Sequence, residues 1–192
     1  TVLLGGFSKA YAMTGWRLGW MAAPADIVAA ASKVHQYAIM SAPTMSQHAA
    51  LEALQSGEED VQHMVAEYDR RRRYIVERLN AMGLPTLEPQ GAFYVFPQIG
   101  HLGLLGQEFA ERLLQEEQVA VVPGSAFGPS GEGYLRLCYA TAMDKIERAM
   151  DKMERFLQRN WLEHERLDMH TGAMSHAWRV EEPVIRPETG VY

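Results

Sequence analysis

The chain has 192 residues, of which 47% are hydrophobic and 22% charged, and a formal net charge of −6. This is globular composition, and its acidic balance speaks against a general nucleic-acid surface. One cysteine, Cys138, leaves no internal disulfide to form, and no membrane-length apolar run or signal-peptide pattern is visible.

Val2, Leu3 and Leu4 predict a short buried strand that gives way to Gly5, Gly6, Phe7, Ser8 and Lys9. Arg17 follows eight positions after Lys9, and residues 18–23 form a second apolar run. Two buried strands joined by such a loop place both cations at a sheet edge, where α/β proteins commonly hold ligands. Apolar surroundings and a second cation favour the neutral amine of Lys9. A neutral amine attacks carbonyls, so Schiff-base chemistry suits it. Taken alone, Lys9 would be a surface lysine.

Pro24, Ala25 and Asp26 predict a helix start with Asp26 as cap, followed by Ile27, Ala30, Ala31, Val34 and Ala38 on one stripe. Ser41 to Thr44 break it, and a second helix is expected from Met45 to Ser56 and Gly57. A longer helix over residues 58–82 carries Val61, Val65, Tyr68, Ile75, Leu79 and Met82, and Gly83-Leu84-Pro85 ends it. Four consecutive arginines, Arg70 to Arg73, lie within it beside Glu67, Asp69 and Glu77. A solvated, ion-paired helix face explains them better than a nucleic-acid surface.

Residues 91–97 predict a strand, and a glycine-rich loop over 100–106 leads to a helix with Phe109, Leu113 and Leu114. Residues 119–122 predict a strand that ends in the turn 123–128. In the strand 133–140, alternation sends Leu135 and Leu137 to one face, and Tyr134, Arg136 and Cys138 to the other. An arginine in the middle of an apolar strand is costly unless it meets an anion, either a carboxylate of a neighbouring helix or a ligand. Asp144 is expected to cap a final helix with Ile146, Ala149, Met150, Met153, Phe156 and Leu157 on its core face. Residues 160–192 lack steady periodicity and read as a partly disordered extension. Their histidines, His164, His170 and His176, fit no common zinc spacing, so no metal site is expected.

The stretch Gly6-Phe7-Ser8-Lys9 with Arg17-Leu18-Gly19 resembles the cofactor-lysine motif of the class I and II pyridoxal-phosphate aminotransferases. These are the aspartate-aminotransferase-like enzymes of fold type I. The resemblance covers residues 1–159 and constrains about seven positions of the motif at fixed spacing. It implies an α/β fold: the end of a large-domain sheet in residues 1–57, then an interdomain helix and an α+β small domain in residues 58–159.

It also implies that Lys9 holds pyridoxal 5'-phosphate as a Schiff base, that Arg17 and Ser8 contact its phosphate, and that Arg136 grips the substrate α-carboxylate. Many family members carry a hydroxyl three positions before the lysine, where this chain has Gly6. The implied activity is amino-group transfer between an L-amino acid and a 2-oxo acid by a cytoplasmic homodimer, without nucleic acid or membrane. The same residues would serve a carbon–sulfur lyase, an aminocyclopropane-carboxylate synthase-like enzyme, or the effector domain of a transcription regulator. Because the chain opens at Thr1 directly into a strand, it is expected to be the carboxy-terminal part of a longer protein, inactive alone.

Overall fold

The computed structural model describes the backbone of residues 1–171 and the side chains of residues 1–160. The chain divides into two compact units, Thr1–Glu67 and Tyr68–Tyr192, with the boundary inside a long helix.

In the first unit, β1 (Leu3–Gly6) pairs antiparallel with β2 (Gly19–Ala22), in a register that sets Leu3 opposite Ala22 and Gly6 opposite Gly19. Between them lie a single helical turn, α1 (Phe7–Ala10), and a 3-10 turn, Thr14–Trp16. Helices α2 (Ala25–Ile39) and α3 (Thr44–Ser56) follow. Phe7, Met13 and Ala50 form the buried cluster, with Tyr11, Leu18, Ala49 and Ala53 packed against it.

The apolar run at the start of the chain leads one to expect a buried strand, but Leu3 is 57% and Leu4 76% exposed. The same holds for α2, which buries no residue and leaves Val34 72% exposed. A two-stranded ribbon has no neighbouring strand beyond its pair, so its apolar side chains find no second layer within this unit. Asp26 is not the cap of α2: the helix begins at Ala25, and Asp26 lies in its first turn.

The second unit carries most of α4 (Glu58–Ala81) and a three-stranded antiparallel sheet in the order β3-β5-β4. Its strands are β3 (Tyr94–Val95), β4 (Val122–Pro123) and β5 (Leu135–Cys138). Helices α5 (Gly106–Glu117) and α6 (Met143–Thr171) complete it. Leu135 and Leu137 are buried on one face of β5, as alternation predicts, in a core with Ile75 and Leu79 of α4, Phe109 and Leu113 of α5, and Met150, Met153 and Phe156 of α6. Phe109 and Phe156 meet edge to face at 5.1 Å.

The outer strands are shorter than their sequence predicts. Ala92 takes the left-handed region at φ 61° and breaks the run before β3, while Pro123 brings no N–H to the ladder at the end of β4. Gly83, at φ 77°, stands just beyond α4 where a helix end favours glycine. The arginine run is ion-paired as expected. Arg72 and Arg73 both engage Asp69, Arg72 also reaches Glu88, and the Arg71 guanidinium lies over the Tyr68 ring. Asp144 does not cap α6, which begins one residue earlier; it accepts a hydrogen bond from Arg148 instead. The backbone of α6 stays helical through Thr171, past the expected end near residue 159. The remainder of the 160–192 extension lies outside the described residues. Among the described residues, no helix is long and apolar enough to cross a membrane.

Candidate active site

The twelve-residue loop 7–18 closes the β1–β2 pair, and its ends are clamped by Phe7 N–H donating to the Leu18 carbonyl at 3.2 Å. Within it, Phe7 anchors α1: its carbonyl accepts from the N–H groups of Tyr11 and Met13, both at 3.3 Å, and its ring packs 5.4 Å from that of Tyr11. Phe7 and Met13 then bury against Ala50 of α3. Gly5 is needed beneath this arrangement, because a Cβ there would lie 2.4 Å from the Trp20 ring.

The loop thus presents Ser8, Lys9 and Arg17 at one end of the strand pair, with Lys9 and Arg17 exposed. The desolvation expected around Lys9 is not supplied by the residues of this unit. Arg17 adopts the left-handed region at φ 50°, ψ 50°, and its Nη1 donates to the Thr14 carbonyl at 3.0 Å. A non-glycine residue held in that region costs about 1–3 kcal/mol and persists only where surrounding contacts fix it. Ser46 of α3 supplies one such contact. It is 5% exposed, and its Oγ donates to the Trp16 carbonyl at 2.7 Å, one residue before Arg17. No sequence pattern singles out Ser46, since its partner lies thirty residues away.

Arg136 belongs to the second unit. Its Cζ lies 4.5 Å from the ring centroids of both Tyr94 and Phe127. Tyr94 comes from β3 and Phe127 from the 3-10 turn Gly124–Phe127 that follows β4, so the two rings reach Arg136 from opposite flanks of the central strand. Phe96 meets Phe127 edge-on at 5.8 Å. Among the described residues, Arg136 makes no ion pair and no side-chain hydrogen bond. Of the two anions that its sequence position calls for, the carboxylate of a neighbouring helix is therefore not found among the described residues. Two aromatic faces attract the cation instead, each by about 0.5–2 kcal/mol.

The turn that carries Phe127 is tied to β5 by backbone contacts. Gly124 N–H donates to the Tyr134 carbonyl at 2.8 Å, and a Cβ on Gly124 would sit 2.1 Å from the Gly131 carbonyl oxygen. Nearby, Glu132 accepts from the N–H groups of Gly106 at 3.0 Å and Gly133 at 3.2 Å. Those bonds, Gly106 first, hold its carboxyl below the usual range.

Residues 1–153 match the family described as aminotransferase class I and II. The chain belongs to this family. It is 55% identical over 159 residues to a putative aminotransferase of Bacillus subtilis (strain 168), covering 83% of this chain and 41% of that protein. An aspartate aminotransferase of Pyrococcus abyssi is 52% identical over 82% of this chain and 41% of its own length. Among solved structures, the aromatic aminotransferase from Pyrococcus horikoshii OT3 superposes with a TM-score of 0.80 at 51% identity, over 84% of this chain and 44% of that one. The chain therefore spans about two-fifths of the aminotransferases that it matches. Its mixed α/β fold is part of the fold-type I architecture of pyridoxal-phosphate transferases.

Proposed function

We propose that the protein containing this chain transfers an amino group between an L-amino acid and a 2-oxo acid, using pyridoxal 5'-phosphate and acting as a cytoplasmic homodimer. The observation that carries this reading is the loop of residues 7–18, which offers an amine, a hydroxyl and a guanidinium at one end of a strand pair in a chain of the aminotransferase family. Residues 1–57 would belong to the cofactor-binding domain, and residues 58–159 to the interdomain helix and small domain.

The donor set fits the cofactor. An amine suits an aldehyde carbon, and a guanidinium fork with a neighbouring hydroxyl suits a phosphate. Lys9 would hold the aldehyde carbon, while Arg17, with Ser8, would hold the phosphate. When bound, the cofactor's ring supplies an electron sink for the carbanion that forms on the substrate. This chain's residues contribute binding, orientation and proton transfer. Arg136 holds the α-carboxylate of the amino acid and of the oxo acid alike, which fixes the α-carbon for reaction. The Lys9 amine would take the proton from that α-carbon as a base and later return a proton as an acid. The exposed strand faces and α2 would be covered by the rest of the protein and its partner subunit.

The reading is tested with an amino-donor panel and 2-oxoglutarate, using the complete protein that contains this chain. Formation of glutamate is expected, with at least a tenfold KM increase in Arg136→Ala for both substrates. Ammonia release or carbon–sulfur cleavage without glutamate would replace transfer by a lyase activity.

A further inference from the structure

We propose that Phe127 is a positioning residue which, together with Tyr94, holds the Arg136 guanidinium in the orientation that receives the substrate carboxylate. The proposal rests on the assignment of Arg136 made above. A bidentate grip needs a planar fork presented edge-on, and a free arginine side chain loses substantial rotamer freedom in adopting one pose. An acidic neighbour could fix the pose, but it would consume the N–H donors that a ligand needs. Aromatic faces act on the guanidinium from outside its plane, so they restrain it and leave its donors available.

The geometry around Arg136 meets these conditions. Both ring centroids lie 4.5 Å from Cζ, and no acidic partner is present among the described residues. The two rings arrive through the pairing of the sheet itself: Tyr94 lies opposite Cys138, and Val122, just before the Phe127 turn, lies opposite Arg136. Phe127 is itself restrained by the Gly124–Gly131 approach, by Gly124 N–H on the Tyr134 carbonyl, and by the edge of Phe96.

Packing within this unit does not account for its place, because the ring is 52% exposed there and lies outside the unit's buried cluster. A half-exposed phenylalanine gains only part of its burial free energy. What it does contact face-on is Arg136.

The test uses the complete protein and the best donor among L-aspartate, L-tyrosine and L-phenylalanine, with 2-oxoglutarate as acceptor. Phe127→Leu keeps an apolar side chain and removes the ring face. KM for donor and acceptor should rise roughly 3- to 30-fold, with kcat within about twofold. Phe127→Tyr restores the face and should return KM to within about twofold of the parent. In an Arg136→Ala background, Phe127→Leu should add nothing, because the group it positions is gone.

If Phe127→Leu leaves KM unchanged while Arg136→Ala raises it, the positioning role is wrong and the carboxylate reading stands. The positioning role also fails if Phe127→Leu lowers kcat alone, or if Phe127→Tyr behaves like Phe127→Leu. Should Arg136→Ala itself leave KM unchanged, the carboxylate assignment falls, and the positioning role falls with it.

Discussion

Removing the Ser46 hydroxyl should loosen the loop that carries Lys9 and Arg17 without touching either cation. Ser46 is 5% exposed, and its Oγ lies 2.7 Å from the Trp16 carbonyl. In Ser46→Ala that carbonyl loses a part-buried hydrogen bond, at a cost of about 0.5–1.5 kcal/mol. The next residue, Arg17, sits in the left-handed region, where an unsupported backbone would relax toward more populated conformations. If holding Arg17 in place contributes to phosphate binding, the lost free energy appears as about 2- to 12-fold weaker cofactor affinity. The assay is cofactor titration of the complete apoprotein, followed by the absorbance of the bound pyridoxal group. Ser41→Ala, at an exposed position before α3, serves as control and should match the parent. A Ser46→Ala protein with parental cofactor affinity would refute the claim that α3 positions the cation loop.

Other expectations concern the second unit. Phe156 is 1% exposed and meets Phe109 edge to face, so Phe156→Ala should cost about 3–5 kcal/mol in denaturant unfolding of the complete protein; a loss below 1 kcal/mol would contradict the core described here. Glu132 has a carboxyl held below its usual range by the Gly106 and Gly133 N–H groups. A depressed folded-state pKa stabilises the fold above the unfolded value, and that contribution disappears as pH falls through the folded one. Glu132→Gln should therefore lower Tm near neutrality, and its gap from the parent should narrow on acidification below the ordinary glutamate range. A gap that widens in acid would reverse the sign of this argument.

Features carried by local spacing were legible in the sequence. Leu135 and Leu137 could be assigned to the core and Arg136 to the opposite face because strand periodicity depends only on neighbours along the chain. The eight-residue interval from Lys9 to Arg17 identified the family for the same reason, and the family match extends over residues 1–153.

Long-range partners were not legible. The hydroxyl of Ser46 looks like that of any helical serine until α3 is set beside the Trp16 carbonyl. Phe127 could be read as part of the turn 123–128, but its place over Arg136 depends on which strands flank β5. Strand exposure failed for another reason. An apolar run such as Val2-Leu3-Leu4 signals that its faces are to be covered, and it is silent about whether the covering residues lie in the same stretch of chain. The ends of β3 were misjudged because Ala92 adopts a left-handed conformation that alanine rarely signals.

The central claim is that Lys9 is the cofactor lysine, and a covalent map tests it most directly. The complete protein is incubated with pyridoxal 5'-phosphate, reduced with borohydride and digested, and the modified peptide is located by mass. The account predicts a pyridoxyl adduct on Lys9 that is absent from Lys9→Ala. A folded protein that carries its adduct on another lysine, or none at all, would contradict it.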